Sequence, residues 1–449
     1  MIAVAHPQPV AARRTSDLLA RAAVGAFLLV GLGALHLMFV VAGPPAYNTF
    51  SSAGRLLGLY LAFAMVCQVL LIARLPLLDR AFGMDRLTGW HRWTGFAVFW
   101  LAVLHPSFVI LGFARYGQDP VLATALSLSQ QVPVLLGLIA VSLIVLIVAL
   151  SVRIARRRLS YETWHTVHLL FYVVLGLGIV HQVYEGTAFT VNLATQVFWW
   201  GLWAFALGAL LTGRLIVPLV RNRRHRLRVA AVVSESGDVV SVHITGRHLD
   251  RLTARAGQFF LWRFPGHNRW WQVNPFSLSA APNGRSLRLT AKGIGSTSAG
   301  LRDLPVGARV FAEGPYGAFT LARRTRTATL LIAGGIGVTP IRALLEDPDL
   351  GRDVIVIYRV RSGNDAVLLG EMRNLARERG ARLHLITGRT GGANQPFQPE
   401  NLRRLVPDIT SRDVYVCGPA ALTNAILDSL RRLKVPSRQV HAELFRLAG

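Results

Sequence analysis

Six apolar stretches, each long enough to cross a bilayer, crowd into the first half of this 449-residue chain and fix what that half can become. They cover about 18–42, 52–75, 93–113, 131–152, 163–184 and 194–220. Hydrocarbon offers no water to backbone amides and carbonyls, so each stretch must satisfy its own as a helix. Six crossings return both chain ends to one side. After Arg228 the texture changes to short alternating runs, so the overall 52% hydrophobic and 16% charged residues are averages over two unlike modules.

The connections orient the spans. Segment 74–92 carries Arg74, Arg80, Arg86 and Arg92; segment 153–158 carries Arg153, Arg156, Arg157 and Arg158; segment 221–228 carries five more arginines. The opposite loops hold almost none, Arg115 being the exception. The positive-inside rule then places the N-terminus, the Arg-rich loops and the long C-terminal module in the cytoplasm, with the protein multi-pass in the plasma membrane. A net charge of +26 is accounted for by this topology and by anionic lipid, and no nucleic-acid partner is expected. Arg13 and Arg14 precede a long apolar run with no small-residue cleavage site, which reads as an uncleaved first span. With only Cys67 and Cys417 available, disulfide frameworks, Cys-rich zinc sites and four-Cys iron–sulfur clusters are excluded.

Two of the spans carry paired histidines: His91 and His105 fourteen residues apart, His168 and His181 thirteen apart. At about 1.5 Å per residue each pair is separated by roughly 20 Å, so one His of each lies toward each face. Both spans run outward, which groups His91 with His168 on the inside and His105 with His181 on the outside. An imidazole in hydrocarbon is costly unless ligated or hydrogen-bonded, and haem iron takes neutral imidazole from both sides; the pattern reads as two stacked b-type haems. Fourteen residues keep His91 and His105 on one helical face. Thirteen do not, so a tilt or local distortion is required between His168 and His181, and His165 is an alternative inner ligand. The competing reading is hydrogen bonding within the bundle, the one assigned to the single His36. Arg55 either faces a haem propionate or anionic acceptor, or snorkels. Trp90, Trp93, Trp100, Trp164, Trp199, Trp200 and Trp203 read as interfacial belts or bundle packing.

In the second half, Val229–Val233, Val239–Ile244 and Phe259–Phe264 alternate between Gly and Pro turns, a small antiparallel barrel pattern. Within it stand Asn274-Pro275-Phe276-Ser277-Leu278-Ser279 and Lys292-Gly293-Ile294-Gly295-Ser296-Thr297-Ser298. Amides and hydroxyls of the second suit a pyrophosphate, and a Ser beside a flat ring can donate to a flavin nitrogen; taken singly, these are ordinary loop residues. From about 326 the pattern becomes strand, glycine turn, helix: Thr329–Ala333, then Gly334-Gly335-Ile336-Gly337-Val338-Thr339-Pro340, then Ile341–Leu345. Glycines admit a phosphate close to the backbone at a helix N-terminus, although many such turns contain Gly for steric reasons alone. Strand Val354–Tyr358 ends at Arg359 and Arg361, where a ribose 2′-phosphate would be met, and no acidic residue ends that strand to take the 2′-OH; NADPH is favoured over NADH. A last strand, Val414–Val416, enters Cys417-Gly418-Pro419, and Glu443-Leu444-Phe445 lies near the C-terminus.

Taken in order, these motifs resemble the ferric reductase and NADPH oxidase superfamily: a ferric-reductase-like haem domain joined to a ferredoxin-NADP reductase-type module. The resemblance implies a membrane all-α six-helix bundle, then a soluble FAD-binding antiparallel β-barrel and an α/β nucleotide-binding domain. The boundaries expected are a cytoplasmic segment over 1–17, the haem b domain over 18–220, the barrel over 224–322 and the NAD(P)H domain over 326–449. It implies His91, His105, His168 and His181 as haem ligands. Pro275, Phe276 and Ser277 would line FAD, with Ser277 near the flavin N5. Lys292, Gly295, Ser296 and Thr297 would hold its pyrophosphate. Gly334, Gly335, Gly337, Thr339 and Pro340, with Arg359 and Arg361, would bind the dinucleotide. Cys417, Gly418 and Pro419 would meet the nicotinamide, Phe445 would cover the isoalloxazine, and Glu443 would lie beside it; Ser277, Cys417 and Glu443 are thus implied at the reacting rings. Two positions depart from the pattern. Asn274 stands where membrane reductases have His, and Val109 stands one turn after His105, where superoxide-producing oxidases carry a further histidine.

The function expected is a transmembrane oxidoreductase. Nicotinamide would reduce FAD, and single electrons would pass through the inner and outer haems to an acceptor beyond the membrane: a ferric chelate, oxygen, a quinone or a redox protein. A flavin is needed because hydride carries two electrons and haem accepts one. The alternatives are a superoxide-generating oxidase, which Val109 argues against, and a haem-binding membrane sensor.

Overall fold

The computed structural model describes residues 10–41, 46–152, 161–186, 189, 192–267, 273–293, 296–388 and 395–445. The chain falls into two compact units that meet at Leu215 and Ile216.

The first unit is helical: α1 Val10–Val41, α2 Thr49–Ile72, α3 Pro76–Phe82, α4 Met84–Gly117, α5 Val121–Ser129, α6 Val132–Ser151, α7 Tyr161–Leu169, α8 Phe171–Glu185 and α9 Leu193–Leu211. Among the described residues six runs are long and apolar enough to cross a membrane: Leu18–Val41, Thr49–Ile72, Arg86–Gly117, Val132–Ser151, Thr163–Glu185 and Leu193–His225. Asparagines start two of them, Asn48 Oδ1 accepting from Ser51 N at 3.0 Å and Asn192 Oδ1 from Thr195 N at 2.9 Å. Leu35, Val66, Ala102, Ile144, Val174, Trp199 and Trp203 form the buried centre, while Trp93, Leu29 and Val197 stay exposed, as helices solvated by lipid require. Helices α2 and α4 lie close because of small residues: a Cβ on Gly54 would come within 2.9 Å of the Val109 amide, and one on Gly112 within 2.8 Å of the Ser51 amide. Val109 is thereby committed to a helix contact.

Two irregularities interrupt these helices. At Leu170, between α7 and α8, Leu170 N donates to Val167 O at 3.1 Å and Val173 N to Leu170 O at 2.9 Å, the tighter i−3 pattern. After α9 a π-turn covers Thr212–Ile216. Here Gly213 abuts α2, since a Cβ on it would sit 1.9 Å from Ala73 O, and Arg214 Nε donates to Ile72 O at 2.9 Å.

The second unit begins with α10 Val217–His225. A barrel follows from two antiparallel three-stranded sheets, β1 Arg228–Ser236, β2 Val239–Thr245 and β5 Ser286–Lys292 in one, β4 Asn274–Ser277, β3 Phe259–Arg263 and β6 Phe311–Tyr316 in the other. A bridge between Leu278 and Leu289 joins them around Phe260, Trp262, Leu278 and Leu289. Asn222 of α10 mimics a strand partner to β6, its Nδ2 donating to Ala312 O and its Oδ1 accepting from Ala312 N, both at 2.9 Å. The short helix α11 Ser296–Ala299 follows β5.

Beyond the barrel lies a five-stranded parallel sheet of order β11-β10-β7-β8-β9, with β7 Thr329–Gly334, β8 Val354–Arg359, β9 Arg382–Ile386, β10 Asp413–Pro419 and β11 Val440–Phe445. Its helices are α12 Val338–Glu346, α13 Leu369–Arg379, α14 Pro399–Leu405 and α15 Ala420–Arg432. Strands β7 and β8 are buried at every position, which is why they read as unbroken apolar runs. The chain leaves β7 toward β8 on one side while β10 enters on the other, so the topological switch point falls between β7 and β10.

Candidate functional site

In the first unit α4 and the broken helix α7–α8 bring the four histidines together two by two. The rings of His91 and His168 have centroids 6.1 Å apart, and those of His105 and His181 are 6.3 Å apart. Two metal–imidazole bonds of about 2 Å, with each nitrogen about 1 Å from its ring centre, call for roughly 6 Å. The turn at Leu170 supplies the distortion that a thirteen-residue spacing demands. His165 is exposed and His168 is the ring facing His91, with Trp164 stacked on it at 5.1 Å and 26°.

The pair of His105 and His181, expected on the outer side, is oriented from behind. His105 Nδ1 lies 2.8 Å from Gly54 O and His181 Nδ1 lies 2.9 Å from Pro133 O. A carbonyl can only accept, so each Nδ1 donates to it, the arrangement in which metal-bound histidines leave Nε2 for the metal. Both rings also rest on glycine: a Cβ on Gly58 would meet His105 Cε1 at 2.8 Å, and one on Gly137 would meet His181 Nδ1 at 2.9 Å. In the pair of His91 and His168, Nδ1 of His168 is buried without a hydrogen-bond partner among the described residues. Four imidazoles facing in pairs fit two bis-histidine haems. His36 differs, being satisfied at both nitrogens by Leu32 O and the Tyr60 hydroxyl at 2.8 Å each. Arg55 is held inside the unit, donating to Phe39 O at 2.8 Å with its guanidinium over the Phe39 ring.

In the second unit, β4 holds exposed Pro275, half-buried Phe276 and buried Ser277. The Phe276 carbonyl is pinned by Trp262 Nε1 at 3.1 Å, and Asn274 Nδ2 reaches toward Trp262 O at 3.5 Å. The hydroxyl of Ser277 is buried with no partner among the described residues, a polar group whose burial is costly unless something accepts its proton, as a flavin nitrogen would. Lys292 is engaged by Asp238 at 3.0 Å, an exposed pair in which the lysine holds the Asp238 carboxyl below its ordinary pKa. Gly295 lies outside the described residues, as do the side chains of Ser296 and Thr297, although their backbone opens α11.

At the switch point the glycine turn meets the end of β10. A Cβ on Gly337 would strike the Cys417 backbone O at 2.3 Å, so this glycine is required by packing, whereas one on Gly334 would first meet the movable end of Leu422 at 2.3 Å. Gly335 has φ of +53° and open space around it. The helix begins at Val338, earlier than the Ile341 expected, so Thr339 and Pro340 are buried in its first turn and the Thr339 hydroxyl donates to Ile336 O at 3.1 Å. Cys417 pairs with Ala333 of β7 on one side and Glu443 of β11 on the other. Its thiol is pushed well up, first by burial and then by Glu443, and is therefore a neutral wall rather than a nucleophile. Gly418 and Pro419 follow on the same strand, and the Phe445 backbone pairs with Pro419 while its side chain lies outside the described residues. The two arginines at the end of β8 part company: Arg359, its last residue, is buried and Arg361, beyond it, is exposed.

Sequence reasoning missed Gly58, Gly137, the turn at Leu170 and a buried polar group centred on Arg288. The first two could have been found as small residues on spans flanking the histidines. Arg288 sits on the polar side of an alternating strand, and only the fold reveals that this side is covered.

Against known families, residues 57–179 match the ferric reductase like transmembrane component and residues 331–428 match the oxidoreductase NAD-binding domain. The first match includes His91, His105 and His168, and the second includes the glycine turn and Cys417; most of the barrel lies between them. Among curated proteins, the ferredoxin reductase component of 3-ketosteroid-9-alpha-monooxygenase from Mycolicibacterium smegmatis is 30% identical over 49% of this chain and 65% of its own length. A flavohemoprotein of Vibrio cholerae is 29% identical over 39% of this chain and 46% of its own. The chain thus spans about half to two thirds of these relatives. Among solved structures, the FAD/NAD-binding domain of nitric oxide dioxygenase from Vibrio cholerae is similar over 50% of this chain and 99% of that one, at 23% identity and a TM-score of 0.39. The chain thus carries a segment similar to a ferric-reductase-like transmembrane component and a segment similar to an oxidoreductase NAD-binding domain, together with six described helices long and apolar enough to cross a membrane.

Proposed function

We propose that the chain carries electrons across the plasma membrane, from cytoplasmic NAD(P)H through FAD and two b-type haems to a one-electron acceptor outside, such as a ferric chelate. The observation that carries this reading is the pair of facing histidine couples on the same two spans, 6.1 and 6.3 Å between ring centres. Bound in these places, the nicotinamide supplies a hydride, the flavin splits it into single electrons, and the haems convey them.

The chain's own residues bind and orient. His91 with His168 and His105 with His181 would offer imidazole nitrogens to iron, and the Gly54 and Pro133 carbonyls accept from Nδ1 of the outer pair and so aim its rings. The buried Ser277 hydroxyl is a donor for the flavin edge. Amides of the Gly334–Gly337 turn and the start of α12 face the switch point, where a pyrophosphate is favoured. The buried end of β10 at Cys417 offers the nicotinamide an apolar, water-excluding surface. Arg361, exposed beyond β8, is the residue available to a 2′-phosphate and supports a preference for NADPH. The Arg-rich connections support the cytoplasmic placement of the soluble unit.

Haem content tests the reading. Detergent-purified protein should carry two b haems per chain with the low-spin signature of two imidazole ligands, and His181→Ala should lower this to one. Protein that folds without haem would remove the proposal.

A further inference from the structure

The barrel and the nucleotide-binding sheet meet through an ion cluster that no part of the proposed electron path uses. Arg288, on β5, is buried and grips the segment just after β4: its Nε donates to Ser279 Oγ at 3.1 Å and its Nη2 to Ser279 O at 2.9 Å. The same guanidinium forms a two-pronged pair with Glu371 of α13, Nη1 to Oε1 at 2.9 Å and Nη2 to Oε2 at 3.0 Å. Glu371 Oε2 also accepts from Arg342 Nε of α12 at 2.8 Å. Arg342 pairs one turn on with Glu346, whose Oε2 accepts from the Ala281 amide at 2.7 Å. The Ser279 hydroxyl accepts in addition from Thr290 Oγ1 at 2.7 Å, which in turn meets Ser241 Oγ at 2.7 Å.

Two features of this cluster point beyond adhesion. Its charges balance, two arginines against two glutamates, yet both arginines are more than nine-tenths buried, where packed apolar side chains would hold two lobes together at less desolvation cost. What a two-pronged pair between a buried arginine and a half-exposed carboxylate adds over apolar packing is a fixed geometry. The geometry fixed here is specific: the nucleotide lobe holds the chain directly at Ala281, through Glu346, and indirectly at Ser279, through the Glu371–Arg288 pair, four and two residues after the partnerless Ser277 hydroxyl. The other end of the cluster is α12, whose first turn is the candidate pyrophosphate site.

We infer that Arg288, Glu371 and Arg342 are positioning residues that set the register of the flavin-side strand at Ser277 against the dinucleotide-side helix α12, and so the approach of nicotinamide to flavin. This rests on the proposed reading of the two sites. None of the three touches the reacting rings in this role; they act through Ser279 and Ala281.

The test uses full-length detergent-purified protein loaded with FAD, comparing wild type, Glu371→Gln, and the volume-conserving double variant Arg288→Met with Glu371→Met. Four quantities are read: FAD content, Tm, the flavin absorbance change and Kd on titration with NADP+, and the limiting rate of anaerobic flavin reduction by NADPH. A positioning role predicts that Glu371→Gln loses at least tenfold in limiting rate and alters the flavin absorbance change, with Kd within about threefold of wild type. It predicts further that the double variant recovers Tm while the rate stays low. A rate that recovers together with Tm, or that never falls, would make the cluster structural glue and overturn the inference. So would failure of both variants to fold with FAD, which would make the cluster a folding requirement. Wild-type flavin that NADPH does not reduce would instead sink the proposed function, a different result.

Discussion

His165 and His168 lie three residues apart on α7, yet His168 faces His91 across 6.1 Å while His165 is exposed. His168→Ala should therefore lower bound haem from two per chain to one, and His165→Ala should leave both, as read by the pyridine haemochrome; equal losses would contradict the assignment. Arg359 and Arg361 separate in the same way. Arg361→Ala should raise KM for NADPH about tenfold with little effect on NADH, since a charged hydrogen bond contributes about 1.5 kcal/mol or more. Arg359→Ala, which removes a buried and partnered side chain, should instead lower Tm, and a selective NADPH defect from it would reverse the two roles. Residues with an expensive chemistry, such as histidine in hydrocarbon, were legible by type and spacing alone. Arg288 was not, because an arginine on the polar side of a strand looks solvated until another lobe covers it. Nor could glycine letters tell that Gly337 answers to packing against the Cys417 backbone.

At the scale of elements, the spans were legible because a bilayer dictates length and composition together, and the nucleotide strands because burial on both faces leaves continuous apolar runs. The break at Leu170 was demanded by the thirteen-residue spacing, but its place was invisible, since no Pro or Gly marks it. Close helix approach is equally silent in sequence, and it is what aims the outer rings. Gly58→Ala places a methyl 2.8 Å from His105 Cε1, so the ring must turn or retreat by a few tenths of an ångström. The expected outcome is an altered low-spin signal of the outer haem with the inner unchanged; identical spectra would show that the glycine does not set the ring. The ion cluster makes a prediction in pH. Burial alone would raise the Glu371 carboxyl, but hydrogen bonds and charge from Arg288 and Arg342 outweigh it and hold the pKa below the ordinary value. An unfolded glutamate titrates near 4.3, so the stabilisation is fully present above that pH and is lost as pH falls through the lowered folded value. The Tm gap between wild type and Glu371→Gln should then be constant above about pH 5 and shrink below about pH 4; a gap that widens on acidification would contradict this.

For the whole molecule, order along the chain is the argument: a histidine-bearing helical unit first, then a barrel with a partnerless buried hydroxyl, then a parallel sheet with its switch point between β7 and β10. Each part has ordinary uses alone, and under the proposed function the combination turns a two-electron donor into single-electron current through a membrane. The sequence carried that order plainly, and the fold added which residues face which. The direct test is the anaerobic absorbance spectrum of the FAD-loaded, detergent-purified protein before and after NADPH. Sharp reduced b-haem bands should appear, and they should be absent from protein stripped of FAD. Haem that stays ferric while the flavin is reduced would contradict the account, because the soluble unit would then not drive the membrane one.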